Sequence, residues 1–276
     1  MSFVSSSANA GGTRWPRSRD LGLIAWQVRY EQRGYWRNRT RGFFTFAFPL
    51  MFLVIFGSID KSAKLGHGHT AIGYDDFFVP GILAYAVIAT TYVNMAISTS
   101  ILRDQGVLKR MQGTPLPRPA YVAARIASTV LIMLAITVAT LVIGAVAYGV
   151  NVRLSTLPGL LLTLILGTAA FSTLGMGITR FIPNAETAPV VINLTVLPLT
   201  FLSGVWFPVQ NLPRWLNDIA RIFPIRPLAN GFQTAFNPFM KGPGVVGQDV
   251  LTLAIWTVIG IYLMLRFLRQ PQREPR

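Results

Sequence analysis

The sequence predicts an all-α integral membrane protein: six transmembrane helices, an N-terminal amphipathic interfacial helix, and re-entrant or interfacial helices before the last span. Three observations predict it. Hydrophobic residues make up 52% of the 276-residue chain and charged residues only 13%, whereas a soluble domain is about 25% charged. Six stretches carry little or no charge, and crossing a bilayer takes about 20 apolar residues. The remaining charge is lopsided, with 25 Lys and Arg against 10 Asp and Glu, a net of +15. A nucleic-acid binder carries such charge on a solvated, charge-rich surface. This chain has too few charges to make one, so no nucleic-acid partner is expected. Cysteine is absent, which excludes disulfides, thiolate metal sites and a Cys nucleophile.

Residues 1–42 form a basic N-terminal region. No apolar run follows Met1 closely and no small-residue cleavage site is visible, so no cleaved signal peptide is expected. Within Ser18–Arg39, Leu23, Trp26 and Tyr30 recur at helical spacing, and Arg29, Arg33 and Arg37 take another side. This pattern predicts an amphipathic helix lying on membrane lipid, its Arg side facing anionic headgroups. A plain basic tail is the alternative.

The membrane-spanning region covers 43–269, and 270–276 is a tail. Its spans fall at Phe43–Ile59, Phe78–Leu102, Ile126–Tyr148, Leu157–Thr179, Thr187–Phe207 and Val250–Leu265. The last is short unless Phe267 and Leu268 extend it and Arg266 snorkels. With the N-terminus placed in the cytoplasm, eighteen of the 25 basic residues fall inside. The positive-inside rule therefore puts both termini there.

The first outside loop contains His67 and His69, with Asp75 and Asp76 nearby. Zinc takes His and carboxylate ligands, but helical spacing and a third nitrogen are missing, so no metal site is expected. The inside loop Leu102–Pro119 is more informative. It carries a short amphipathic piece with Val107, Leu108 and Met111 on one side and Lys109 and Arg110 on another. Thr114-Pro115-Leu116-Pro117 stops it, because proline cannot continue a helix. A short rigid helix between two spans can act as a lever; an ordinary basic connection is the even alternative. In the turn between spans 4 and 5, Glu186 is expected at the entrance of span 5, where an acid favours the positive helix end.

Beyond span 5 the chain stays apolar while Gly and Pro break its helices. Leu202, Ser203, Gly204, Trp206, Phe207 and Pro208 are followed by Pro213, Trp215 and Leu216. Non-helical backbone at membrane depth must be buried in protein or line a cavity. Short re-entrant or interfacial helices on the outer side are expected, with Trp206 and Trp215 anchored at the headgroups. No charge lies mid-span, which argues against a proton-coupled pump. Asn94, Asn193 and Thr195 are candidates for a substrate path, with interhelical hydrogen bonding as the competing role. Ala169, Thr173 and Gly177 form a small-residue stripe that predicts close packing of span 4.

Two segments resemble a known family. The loop Arg103–Leu116 is similar to the cytoplasmic motif R-E-x-G-T-L-E-x-L-x-x-T-P-L of type-2 ATP-binding-cassette permeases. Arg103, Gly106, Leu108, Thr114, Pro115 and Leu116 match; Asp104, Val107, Lys109 and Met111 depart from it. The segment Phe201–Leu216 resembles the family's F-L-S-G-x-x-F-P-x-x-x-L-P-x-W-L, in the correct order and spacing. Small drug- and antibiotic-exporter permeases are the nearest in flavour, and polysaccharide exporters are relatives. The resemblance implies that Arg103–Pro115, including Arg110, forms a coupling helix docked on a separate ATPase. That partner would bind ATP and Mg, because this chain lacks the G-x-x-x-x-G-K-[ST] phosphate loop. The resemblance further implies a dimer of permeases in a bacterial cytoplasmic membrane, with the pathway lined by spans 1, 2 and 5. An ATPase-independent transporter or channel is the competing class. A membrane-embedded hydrolase lacks a credible Ser–His or paired-carboxylate set.

Overall fold

The computed structural model describes residues 18–58, 64–65, 72–111, 118–150, 153–206, 213–240 and 242–269. The His67 and His69 loop, Thr114, Pro115, Phe207 and Pro208 lie outside these. The chain is built from α1 (Ser18–Arg37), α2 (Arg39–Gly57), α3 (Tyr74–Ile88), α4 (Asn94–Asp104), α5 (Val107–Met111), α6 (Arg118–Tyr148), α7 (Leu157–Ile178), α8 (Ala188–Leu202), α9 (Arg214–Ile222), α10 (Ile225–Phe236) and α11 (Gly247–Arg269). A two-residue strand, Lys64–Leu65, pairs antiparallel with Ile72–Gly73 ahead of α3.

Five helical stretches are long and apolar enough to cross a membrane: Arg39–Gly57, Asp76–Asp104, Pro119–Tyr148, Leu157–Phe181 and Gly247–Phe267. A sixth apolar helix, Ala188–Phe201, is shorter. Its 15 residues in α8 rise about 22 Å at 1.5 Å each, less than the ~30 Å hydrocarbon thickness. It stops early because the chain turns at Ser203 and Gly204, where glycine takes a positive φ of 79°. The last helix is longer than its apolar run. It continues past Arg266, whose guanidinium lies over the Tyr262 ring at 5.5 Å, and buries Phe267.

α6 is 31 residues long, about 46 Å, and overshoots a bilayer core. Its Tyr148 end sits beside the end of α2, where the Tyr148 hydroxyl donates to the Val54 carbonyl at 3.2 Å. The excess therefore projects at the opposite end. There α1 packs on it, with Gln32 Nε2 donating to the Ser128 carbonyl at 2.7 Å. Leu23, Trp26 and Tyr30 turn away from the bundle, and the rings of Trp26 and Tyr30 stack at 5.9 Å. α1 thus offers an aromatic face to its surroundings, the form an interfacial helix takes.

α7 is the axis of the bundle, touching α11, α6, α10, α4 and the turn ahead of α4. Small residues make this possible. Thr173 and Gly177 meet α11: a Cβ at Gly177 would lie 2.8 Å from that of Leu263, and Gly260 faces Thr173. This is the predicted small-residue stripe in use. On another side, α3 and α4 are joined by one π-helical turn, Ala89–Val93. A Cβ at Gly175 would meet the Tyr92 carbonyl of that turn at 2.6 Å.

Gly175→Val is therefore expected to destabilise the detergent-solubilised protein by about 1–3 kcal/mol through overpacking. Gly34 lies in the interior of α1 with open space around it. Gly34→Ala is expected to stabilise by about 0.4–1 kcal/mol. Thermal unfolding of both variants checks the contrast.

Candidate functional site

The first site is the loop between α4 and α6. α4 ends in Arg103-Asp104, and Gly106 reverses the chain with a φ of +68°. Only glycine adopts that conformation without strain. α5 follows as a five-residue helix. Leu108 is buried, while Lys109 and Arg110 are exposed. Arg110 Nη2 donates to the Gln105 carbonyl at 3.0 Å, which closes the loop on itself. The amphipathic division expected of this piece is present for these three residues. Met111 closes α5, and its side chain lies outside the described set.

Arg103 and Asp104 do more than end a helix. Arg103 Nη1 donates to the carbonyls of Thr179 and Ile182 at 2.8 Å, and Nη2 to that of Pro183 at 3.1 Å. Thr179 ends α7, its carbonyl also accepting the Ile182 N–H at 3.3 Å, and the other two carbonyls belong to the turn beyond; a cation suits the negative end of a helix. Arg103 Nε also pairs with Asp104 at 3.0 Å. Asp104 in turn accepts the Ala185 N–H at 2.6 Å. Both partners of the pair thus grip the turn between α7 and α8. Glu186 is exposed beside that turn.

The second site is a cavity of about 730 Å³ between the start of α2 and the α3–α4 helix. Its walls include Arg41, Phe44 and Phe48 from α2, and Tyr85, Thr90 and Asn94 from the facing helix. The volume falls in the usual range for ligand sites, about 300–1,000 Å³. Asn38 caps α2 by accepting the Arg41 N–H at 3.0 Å. The Arg41 side chain reaches across, and its Nη2 donates to Asn94 Oδ1 at 3.0 Å. One turn further along α4, Arg125 Nη2 donates to Ser98 Oγ at 2.6 Å and its Nη1 to the Tyr121 hydroxyl at 2.7 Å.

The structure separates the three residues expected on a substrate path. Asn94 lines the cavity. Thr195 lies between helices, its hydroxyl 3.4 Å from that of Tyr92. Asn193 is exposed on the outer face of α8, away from that cavity. Sequence reasoning missed Arg41 and Arg125, which it counted as topology charges. The available signal was their position one or two residues before the apolar runs that begin at Phe43 and Ile126; their partners Asn94 and Ser98 come from tertiary packing.

At the end of the bundle away from the α4–α6 loop lies the turn after α8. Gln233 on α10 donates to the Gly204 carbonyl at 2.8 Å. Ser203 and Gly204 are buried. Gly81 lets the Val205 carbonyl lie directly against α3. Trp206 packs on Tyr85, Phe52 and Phe56 at 5.1, 5.5 and 6.0 Å between ring centres. It is half-buried in this aromatic cluster, which shares Tyr85 with the cavity wall. Trp215 is 63% exposed on α9, together with Ile219 and Ile222. Pro213 precedes α9; the side chains of Leu202 and Leu216 lie outside the described set.

A bundle of long apolar helices, with the α4–α6 loop clasped to the α7–α8 turn and a cavity between two of the spans, belongs to the class of multi-pass membrane proteins. The model of the ABC-2 type transporter family matches residues 23–237, and the chain belongs to that family. Its members are transport permease subunits, not catalytic enzymes. The chain is similar to the inner membrane transport permease YadH of Escherichia coli strain K12, 26% identical over 78% of this chain and 81% of that protein. It is also similar to nodulation protein J of Rhizobium leguminosarum bv. trifolii, 29% identical over 72% and 75%. With its apolar helices, this makes it a multi-pass inner-membrane protein.

Arg103→Ala removes three charge-assisted hydrogen bonds to the α7 end. It is expected to cost about 1.5–3 kcal/mol. Thermal unfolding reads the loss, and faster amide exchange over 179–187 locates it.

Proposed function

We propose that this chain is the translocation subunit of an ATP-driven exporter for an amphipathic drug, antibiotic or lipid-like substrate. A separate ATPase subunit hydrolyses the ATP and binds its Mg. The observation that carries this reading is the α4–α6 loop: a buried Leu108, an exposed Lys109 and Arg110, and an Arg103 locked onto the α7–α8 turn. A push on α5 from the cytoplasm is passed at once to three helices, since α4, α7 and α8 meet at the clasp. Arg103, Asp104, Gly106, Leu108, Lys109, Arg110, Met111, Thr114 and Pro115 are the residues assigned to coupling.

In this reading both termini are cytoplasmic, α1 lies on the inner leaflet, and α8 with the turn after it completes a sixth crossing. A second permease copy or paralogue packs against α2 and α8. The support for that is α8's outer face, where Val190, Leu194, Leu197 and Phe201 recur at 4, 3 and 4 residues and are exposed. That spacing is the seam of two helices packing knobs into holes. Asn193 is exposed beside it, a poor neighbour for lipid tails. Ser203, Gly204, Trp206, Phe207 and Pro208 form the outer gate, and Pro213, Trp215 and Leu216 continue it.

The decisive test is co-purification with an ATPase, followed by its activity in proteoliposomes. Gly106→Pro forces a φ near −65° where the chain needs +68°. That variant is expected to leave ATP binding intact while abolishing coupled transport. Coupled transport at the wild-type rate sinks the coupling assignment. Transport by the chain alone, without any ATPase, favours a channel or secondary transporter instead.

A further inference from the structure

The start of α2 brings a cation into a hollow lined by apolar and uncharged polar side chains. Arg41 opens into the cavity, and Arg125 is buried at 6% exposure one α4 turn away. Among the described residues, neither has a carboxylate within ion-pair distance. Glu31 on α1 acts on Arg41 from farther off. Tyr35, under Arg41 with its ring centre 5.4 Å from the guanidinium, supplies no countercharge: burial pushes its hydroxyl up from the ordinary value, so it stays neutral. The hydrogen-bond partners of both cations are the neutral oxygens of Asn94, Ser98 and Tyr121. Two like charges so close, with only neutral partners, repel one another and favour any anion that enters.

The rest of the hollow decides what that anion is attached to. Beyond Arg41 the walls are mainly Phe44, Phe48, Val93 and Ile97, with the hydroxyls of Thr45 and Thr90 between them and no second charge. Phe44 and Phe48 are about half-exposed, so the cavity opens sideways along α2 and a long chain can leave it there. A soluble anion would find no use for that apolar trough. We propose that this cavity binds the cargo as an amphiphile with an anionic, phosphate-type headgroup, the headgroup held by Arg41 at the α2 start and the apolar chain laid along Phe44 and Phe48. Arg41 is then the residue that selects for charge, and Arg125 supports the positive field from behind. The proposal rests on the permease reading and names the chemistry of what the permease carries.

The test uses the full chain, purified in a neutral maltoside detergent, and native mass spectrometry. The probes are oleoyl lysophosphatidic acid, oleoyl lysophosphatidylcholine and inorganic phosphate. The acid is expected to bind about tenfold more tightly than the choline ester, the scale of one charge-assisted contact. Inorganic phosphate at equal concentration displaces nothing. Arg41→Gln abolishes the preference, Arg41→Lys keeps most of it, and Arg153→Gln, exposed between α6 and α7 away from the cavity, leaves it unchanged. Asn94→Asp places a carboxylate against Arg41 and is expected to abolish the preference without changing the size of any side chain. Equal binding of the two lysolipids overturns the proposal, as does a preference that survives both Arg41→Gln and Asn94→Asp. With the ATPase present, ATP turnover releases the bound acid; retention through turnover overturns its role as cargo. A chain that shows the preference but recruits no ATPase keeps the site and loses the exporter reading. A coupled ATPase with no preference loses the site alone.

Discussion

Everything in this bundle depends on how closely other helices can approach α7. Inside a bilayer, lipid tails are as apolar as leucine, so helix association rests on contact and hydrogen bonding more than on hydrophobic burial. α7 answers with glycines and small hydroxyl residues on several sides at once. Gly177 and Thr173 admit α11, Gly167 admits Leu228 of α10, and Gly175 admits the π-helical turn. Each of these is a contact that even one methyl group would disturb. α7 is correspondingly buried along most of its length, although the chain as a whole exposes many apolar residues. It supplies the fixed frame against which the other helices are positioned.

The segment before the last helix shows the same constraint applied to backbone. Phe223-Pro224 breaks the chain between α9 and α10, yet α10 is buried against α3, α7 and α11. Such a break survives at membrane depth only where its polar groups find partners within the protein. They do. Trp256 donates to the Ile222 carbonyl at 2.7 Å at the start of the break, and Thr156 donates to the Ala235 carbonyl at 2.7 Å near the end of α10. Asn230 donates to Asp249 of α11 at 2.5 Å, and Gln233 reaches the Gly204 carbonyl. The loop after α8 is held by α10, and α10 is held by α7 and α11.

Much of this was legible in the sequence, for definable reasons. Charge-free runs located the apolar helices because insertion cost is paid residue by residue. Helix ends were less legible. α6 begins at Arg118, eight residues before its apolar run, because α1 covers the protruding turns. α8 stops at Leu202 because the Gly204 turn is held by α10, a contact no local pattern reveals. Within the α4–α6 loop, the inward Leu108 and outward Lys109 and Arg110 followed from helical periodicity. The grip of Arg103 and Asp104 on residues 179–185 did not, since it joins positions some eighty residues apart. Trp206 was taken for an anchor at the membrane surface by residue type alone; the aromatic residues that enclose it come from α2 and α3.

The cavity was hidden for a subtler reason. Counting basic residues treats each as a unit of topology, and Arg41 and Arg125 satisfy that count perfectly well. What separates them from the other cations is their partners on α4. Asn94, Ser98 and Arg103 lie on one continuous helix, the first two at the cavity and the last at the clasp with the α7–α8 turn. A helix of eleven residues is stiff over that length, so Asn94 and Arg103 cannot move independently. The segment of α4 that faces Arg41 is therefore the segment that carries the clasp, and it is joined to α3 by the single π-helical turn. The clasp with the α7–α8 turn and the shape of the cavity mouth both follow from the position of a single helix.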